Sequence, residues 1–429
     1  MFLTKTLWKL REWASQVWPR VSLFSLVAIL TAAVAPLISP LLPDDMQSTV
    51  GRAATMDMLS ILTDSMLVAS TFSLSIMVTA HHFAASQVTP RSHRLLRSDG
   101  QTQSVIATFI GAFVYALTAT AIVNANFYAE ADFPVIYTVT IVIIALVIGA
   151  LIRWVQQLAG LGSIETTTRR VEDVAREALA ARMVTPNFGG APLRDVDGEM
   201  GWPVRAQVFG YIRHIDVRSL SARGEELDID IALLVLPGDE VAPDDVMMRL
   251  IGRTQSPDGS VDTGLIDEMR GQVTIGALRT FDQDPLFGLQ VLSEIGQRAL
   301  SPGLNDPRTA DDIISRQLRV LGNWDTTGAD APLPRIRARG SDMRLMVETA
   351  FDAIARDGAD LVEIQMAVQR ALGILAYHAD PDMRQAARNV SARALARSDK
   401  TLLLEEDRKR VRDLATVDRA ADRNGAAAE

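Results

Sequence analysis

Between residues 58 and 80, an otherwise apolar stretch carries Ser60, Thr63, Asp64, Ser65, Ser70, Thr71, Ser73, Ser75 and Thr79. On a helix, Asp57, Ser60, Asp64, Thr71, Ser75 and His82 follow steps of three, four or seven and fall on one stripe. A carboxylate at membrane depth costs about 3 kcal/mol on insertion scales, so Asp64 must face protein or water rather than lipid. Two chemistries fit the stripe. It lines a path for ions or protons, or its small hydroxyl residues let helices pack closely and hydrogen-bond one another.

A second concentration of polar groups is the run RALSPGLNDPRTA, Arg298 to Ala310, where an apolar helix ends and two prolines with a glycine hold an ordered turn. Ser301, Pro302, Asn305, Asp306, Arg308 and Thr309 are gathered there in little space. Asp306 or Thr309 suits the N-cap of the next helix and Pro307 its first turn. The run therefore reads either as a rigid helix connector with its own caps or as a polar binding site or subunit contact. Asp306 with Asp311 and Asp312 offers oxygen ligands to a divalent cation, but carboxylates this close to a helix start ordinarily cap it.

Other chemistry is excluded by missing parts. The chain has no cysteine, so thiol nucleophiles, iron–sulfur clusters and Cys-containing zinc sites are out. Of its five histidines only His81 and His82 are neighbours, and adjacent helical residues point about 100° apart, so they make no metal pair. No phosphate-binding loop, nucleophile elbow or paired-histidine zinc motif occurs. The expectation is a non-enzyme with no cofactor and no metal. With 43 Lys plus Arg against 52 Asp plus Glu, the net charge of −9 provides no basic excess for nucleic acid.

The elements that must position these residues follow from hydropathy. A mean hydropathy of +0.13 is high for a chain with 22% charged residues, and the excess is concentrated in four spans: 21–42, 58–80, 104–126 and 133–155. Lys5, Lys9, Arg11 and Arg20 precede the first, Arg91, Arg94 and Arg97 separate the second from the third, and Arg153, Arg169 and Arg170 follow the fourth. The loops after spans one and three hold mostly Asp and Glu. This alternation predicts both termini in the cytoplasm.

The predicted organisation is a transmembrane domain over 1–160, a connecting helix and linker over 161–200, a β-rich module over 201–280, and a helical domain with a charged tail over 281–429. Strands are expected at 204–215, 227–236, 246–251 and 273–278, with Gly224, Pro237-Gly238 and Pro257-Asp258-Gly259 as turns. Helices are expected at 165–183, 286–300, 309–322, 342–356, 361–378, 382–397 and from 402 to about 423.

The RALSPGLNDPRTA run, with YIRHID at Tyr211 to Asp216, PGDEV at Pro237 to Val241 and TPR at Thr89 to Arg91, resembles bacterial predicted membrane proteins grouped as domain of unknown function 2254. The resemblance runs from the first span to at least Leu321. It implies a membrane protein and no particular reaction, so Ser301, Pro302, Asn305, Asp306, Pro307 and Thr309 carry over only as signature positions. The Gly210–Asp216 and Pro237–Val241 segments also look like the strand and Gly-Asp-x-Val turn of lipoyl-type barrel-sandwich modules, without the lysine that carries a prosthetic group.

The fold expected is thus a four-helix transmembrane domain followed by a cytoplasmic α+β domain with a small β-rich module and a helical C-terminal part, in the bacterial inner membrane. Its expected partners are the lipid bilayer, further copies of itself, and an ion or small ligand. The favoured function is a channel-like transport protein with a cytoplasmic vestibule or gate, in which the stripe lines the pore and Asp64 sets cation preference. The alternative is a membrane-anchored scaffold or sensor that binds a partner near Ser301 to Arg308.

Overall fold

The computed structural model describes residues 51–87, 89–92, 100–125, 133–158, 163–252 and 263–415, with single positions between 19 and 34. The chain divides into two compact units, 9–167 and 168–429.

In the first unit, α1 (Arg52–Gln87), α2 (Gly100–Asn124) and α3 (Phe133–Leu158) are each long and apolar enough to cross a membrane. The expected span at 21–42 lies almost wholly outside the described residues. Leu59, Leu62 and Met66 of α1 join Phe109, Tyr115 and Ala116 of α2 and Val135, Val147 and Trp154 of α3 in one buried cluster. Several polar groups of these helices find partners within the unit, as apolar surroundings favour. The Tyr115 and Thr140 hydroxyls share a hydrogen bond at 3.0 Å, Thr140 Oγ1 donates to the Ile136 carbonyl at 2.7 Å, and Arg52 Nη2 donates to the Val123 carbonyl at 3.2 Å. The outer faces keep Val68, Phe72, Leu146 and Ile152 exposed, as lipid-facing helices do.

The second unit begins along α4 (Ile164–Val184), which is followed by a left-handed turn at Pro186–Gly189. Its strands are β1 (Ala191–Pro192), β2 (Trp202–Arg205), β3 (Gly210–Ile215), β4 (Ile229–Leu233), β5 (Glu240–Val241), β6 (Val246–Gly252), β7 (Val273–Gly276) and β8 (Ile336–Ala338). Five of them form a mixed sheet in the order β1-β8-β4-β6-β2, and β5-β3-β7 form a small antiparallel sheet. Helices α5 (Val217–Leu227) and α6 (Thr263–Gly271) belong to this β region. The helical part comprises α7 (Pro285–Ala299), α8 (Pro307–Leu321), α9 (Met343–Asp357), α10 (Val362–Leu375), α11 (Pro381–Thr401) and α12 (Glu405–Leu414).

Capping explains where many of these helices begin. Asp216, Asp284, Asp306, Asp342 and Asp380 each precede a helix and accept a hydrogen bond from the amide three residues on. In three of the five a proline follows directly, with its φ already set for the first turn.

Three expectations change. The single strand expected at 204–215 is two strands in different sheets. Residues 217–227 are a helix, with Val217, Leu220, Ser221 and Gly224 buried at helical spacing. Gly224 is no turn. A Cβ there would lie 2.9 Å from the Ile229 carbonyl oxygen and 3.0 Å from Arg335 Cβ, so the glycine permits close packing. A helix between β3 and β4, and strands shared out between two sheets, also overturn the barrel-sandwich likeness. The charged C-terminal helix ends at Leu414, and the remainder of the expected segment lies beyond the described residues apart from Ala415.

Candidate functional site

On α1 the packed face is Thr55, Leu59, Leu62, Met66 and Ser73, all buried. Asp57, Ser60, Asp64, Thr71 and Ser75 are exposed. At 100° per residue the two sets lie on roughly opposite sides of the helix. The stripe therefore points away from α2 and α3. The threonine hydroxyls on α1 do not reach across to other helices either: Thr63, Thr71 and Thr79 donate to the carbonyls of Leu59, Leu67 and Ser75, four residues back, at 2.8, 2.9 and 3.0 Å. His82 lies on α1, but its side chain is outside those described. Beyond α1, Thr89 closes a small cap, with its hydroxyl 3.2 Å from that of Ser92.

The Ser301–Thr309 turn consumes most of its polar groups internally. Ser301 Oγ donates to the Arg298 carbonyl at 2.6 Å, and the Ser301 carbonyl accepts from the amides of Leu304 and Asn305. Asp306 accepts from the Thr309 amide at 3.1 Å and from its hydroxyl at 2.5 Å. These bonds, the Thr309 hydroxyl foremost, hold the Asp306 carboxyl below its usual range. Asn305 takes a left-handed φ of 48°, while Pro302, Asn305 and Arg308 are exposed. The geometry is that of a capped helix connector.

What the sequence reading missed is a pocket of about 130 Å³ in the second unit. The PGDEV turn lines it through Pro237, Gly238 and Asp239. The Gly238 amide donates to the Ile212 carbonyl at 2.8 Å and the Ile212 amide to the Asp239 carbonyl at 2.9 Å, which fixes the PGDEV turn against β3. Gly238 has φ 98°, and a Cβ there would fall 2.3 Å from Asp284 Oδ2. Only glycine lets the turn approach that carboxylate.

Arg279 pairs with Asp284 at 2.7 Å and donates to Gln290 Oε1 at 2.8 Å. Burial raises the Asp284 carboxyl, and the Arg279 guanidinium works against that rise. Arg339 meets Asp239 at 3.2 Å. Arg182, only 5% exposed, lies 3.9 Å above the Phe188 ring, and its Nη2 donates to the Gln283 carbonyl at 3.3 Å. Burial pushes the Arg182 guanidinium down to about 9, with the Asp284 charge opposing. The signal for Arg182 was present in the sequence. It continues the apolar stripe Val171, Ala175, Ala178, Leu179, a position where a cation needs a reason.

A family model described as "Predicted membrane protein (DUF2254)" matches residues 14–373. Uncharacterized proteins of Mycobacterium bovis and of Mycobacterium tuberculosis are each 26% identical over 277 residues, covering 62% of this chain and 51% of theirs. The matched stretch thus spans about half the length of those curated relatives. No solved structure matches.

Proposed function

Because the chain belongs to the DUF2254 family of predicted membrane proteins, we propose that it is an oligomeric, channel-like transport protein of the bacterial inner membrane and not an enzyme. In this reading α1 of each copy turns its Asp57–Ser75 stripe toward a shared, water-containing axis. One observation supports it: the exposed intramembrane carboxylate of Asp64 lies on the side of α1 opposite its packed face. Left against lipid, that carboxylate is unfavourable by about 3 kcal/mol, and a polar axis between copies removes the penalty. Asp64 then sets a preference for cations, as a ring of carboxylates does at a pore mouth. In this reading, as the positive loops favour, 168–429 lies on the cytoplasmic side and gates the pore.

The test is ion flux in proteoliposomes holding the full chain. Asp64→Asn should lower cation-over-anion selectivity several-fold. Unchanged conductance and selectivity removes the role assigned to Asp64, and no flux from the unaltered protein removes the channel.

A further inference from the structure

We propose that the pocket beneath the Pro237–Asp239 turn binds a small organic oxyanion, whose carboxylate or phosphate group pairs with Arg182. This site is independent of the channel reading.

Most of the pocket's charged groups already have hydrogen-bond partners. Arg279 is occupied by Asp284 and Gln290. Asp284 places Oδ2 on Arg279 and Oδ1 on the Phe287 amide at 3.0 Å, so its attraction to Arg182 acts without a direct bond. Arg339 has Asp239, and Asp342 caps α9 through the Leu345 amide at 3.1 Å. Arg182 alone among these cations lacks a carboxylate within hydrogen-bonding distance among the described residues. Its buried Nη1 has no hydrogen-bond partner there. A buried guanidinium with an open donor is costly unless something completes its bonding. An oxyanion completes it, and the planar donor fork suits carboxylate and phosphate alike.

Two further observations favour a site over an accident of packing. Asn187 and Phe188 are consecutive non-glycine residues at φ 51° and 56°. Left-handed backbone costs about 1–2 kcal/mol per residue, and here it places the Phe188 ring under the guanidinium. The starts of α7 and α9 also line the pocket. Their dipoles add positive potential that the capping carboxylates reduce without replacing the missing partner of Arg182.

Apart from Gln283 and Ser341, much of the remaining wall is apolar: Leu236, Pro237, Leu286, Leu345 and Met346. Together with a volume that holds roughly four water molecules, this selects an anion with a compact apolar body.

The experiment uses the full chain in nanodiscs of zwitterionic lipid, with thermal unfolding followed by tryptophan fluorescence at constant ionic strength. Benzoate, phenyl phosphate and inorganic phosphate are titrated separately. The two aromatic anions distinguish a carboxylate from a phosphate head, and inorganic phosphate tests the need for an apolar body. A saturable rise in Tm with benzoate or phenyl phosphate is expected, larger than with inorganic phosphate. Arg182→Gln should weaken the binding midpoint about tenfold or more, and Arg182→Lys should weaken it by an intermediate factor. If the glutamine variant does not fold, the lysine variant carries the comparison. No saturable rise with any of the three anions overturns the proposal, as does an equal rise in wild type and the Arg182 variant.

Discussion

At the scale of single residues, glycine and arginine decide the pocket through opposite physical properties. Gly238 is there because nothing larger fits between the turn and the Arg279–Asp284 pair: a Cβ would lie 2.3 Å from Asp284 Oδ2 and 2.9 Å from Arg279 Nη2. Gly238→Ala must therefore displace a buried ion pair and accept a strained φ. A loss of about 2–3 kcal/mol is expected, measured as a lower Tm of the full chain in detergent. Glu172 is a second residue whose surroundings set its behaviour. Burial pushes its carboxyl up, but Arg319 and Arg316, both at 2.8 Å, outweigh that and hold it below the usual range. With the folded value depressed, the stabilisation is present above about pH 4.5 and is lost as pH falls through the folded value. Glu172→Gln should cost about 3 kcal/mol near neutral pH. The Tm gap between variant and wild type should narrow below pH 4.5, because a protonated Glu172 resembles glutamine.

At the scale of elements, the Ser301–Thr309 turn has the geometry of a capped helix connector. The turn joins the end of α7 to the start of α8, and Asp306 is the cap of α8. Asp306→Ala should lower stability by about 1 kcal/mol, while Asp306→Ser keeps most of it; thermal melts of the two variants check this. The same α7 starts at the pocket, about 22 Å from the turn at 1.5 Å per residue. Signature segments thus lie at both of its ends, a capped turn at one and a charged cavity at the other. In α1, element geometry separates two classes of hydroxyl. Those bonded back along the helix need no partner, and the exposed carboxylate of Asp64 does.

At the scale of the whole molecule, the absence of cysteine makes the proposed assembly directly testable. Thr71→Cys and Ser75→Cys place single thiols on the outward stripe, and Leu62→Cys places one in the packed face. Oxidation in membranes should link copies through the first two and not through the third. Absence of links at all three positions removes the shared axis. The mycobacterial relatives are about twice as long as the stretch they share with this chain.

What the sequence by itself determined is local. Apolar length marked the membrane helices, the Asp306-Pro307 pair marked the start of α8, and the SPGLNDP run marked an ordered turn, because spans, caps and turns arise from interactions within a few residues of chain. The helix at 217–227 escaped because its buried positions include a serine and a glycine, which period counting does not weigh as core. Only the tertiary structure decided which side of α1 is packed, since a helix's polar stripe has no partner until its neighbours are in place. Only the tertiary structure assembled Arg182, Phe188, Gly238, Asp284 and Arg339 around one cavity. Those residues come from five separate segments, and the missing partner of Arg182 becomes visible once burial has removed water from its guanidinium.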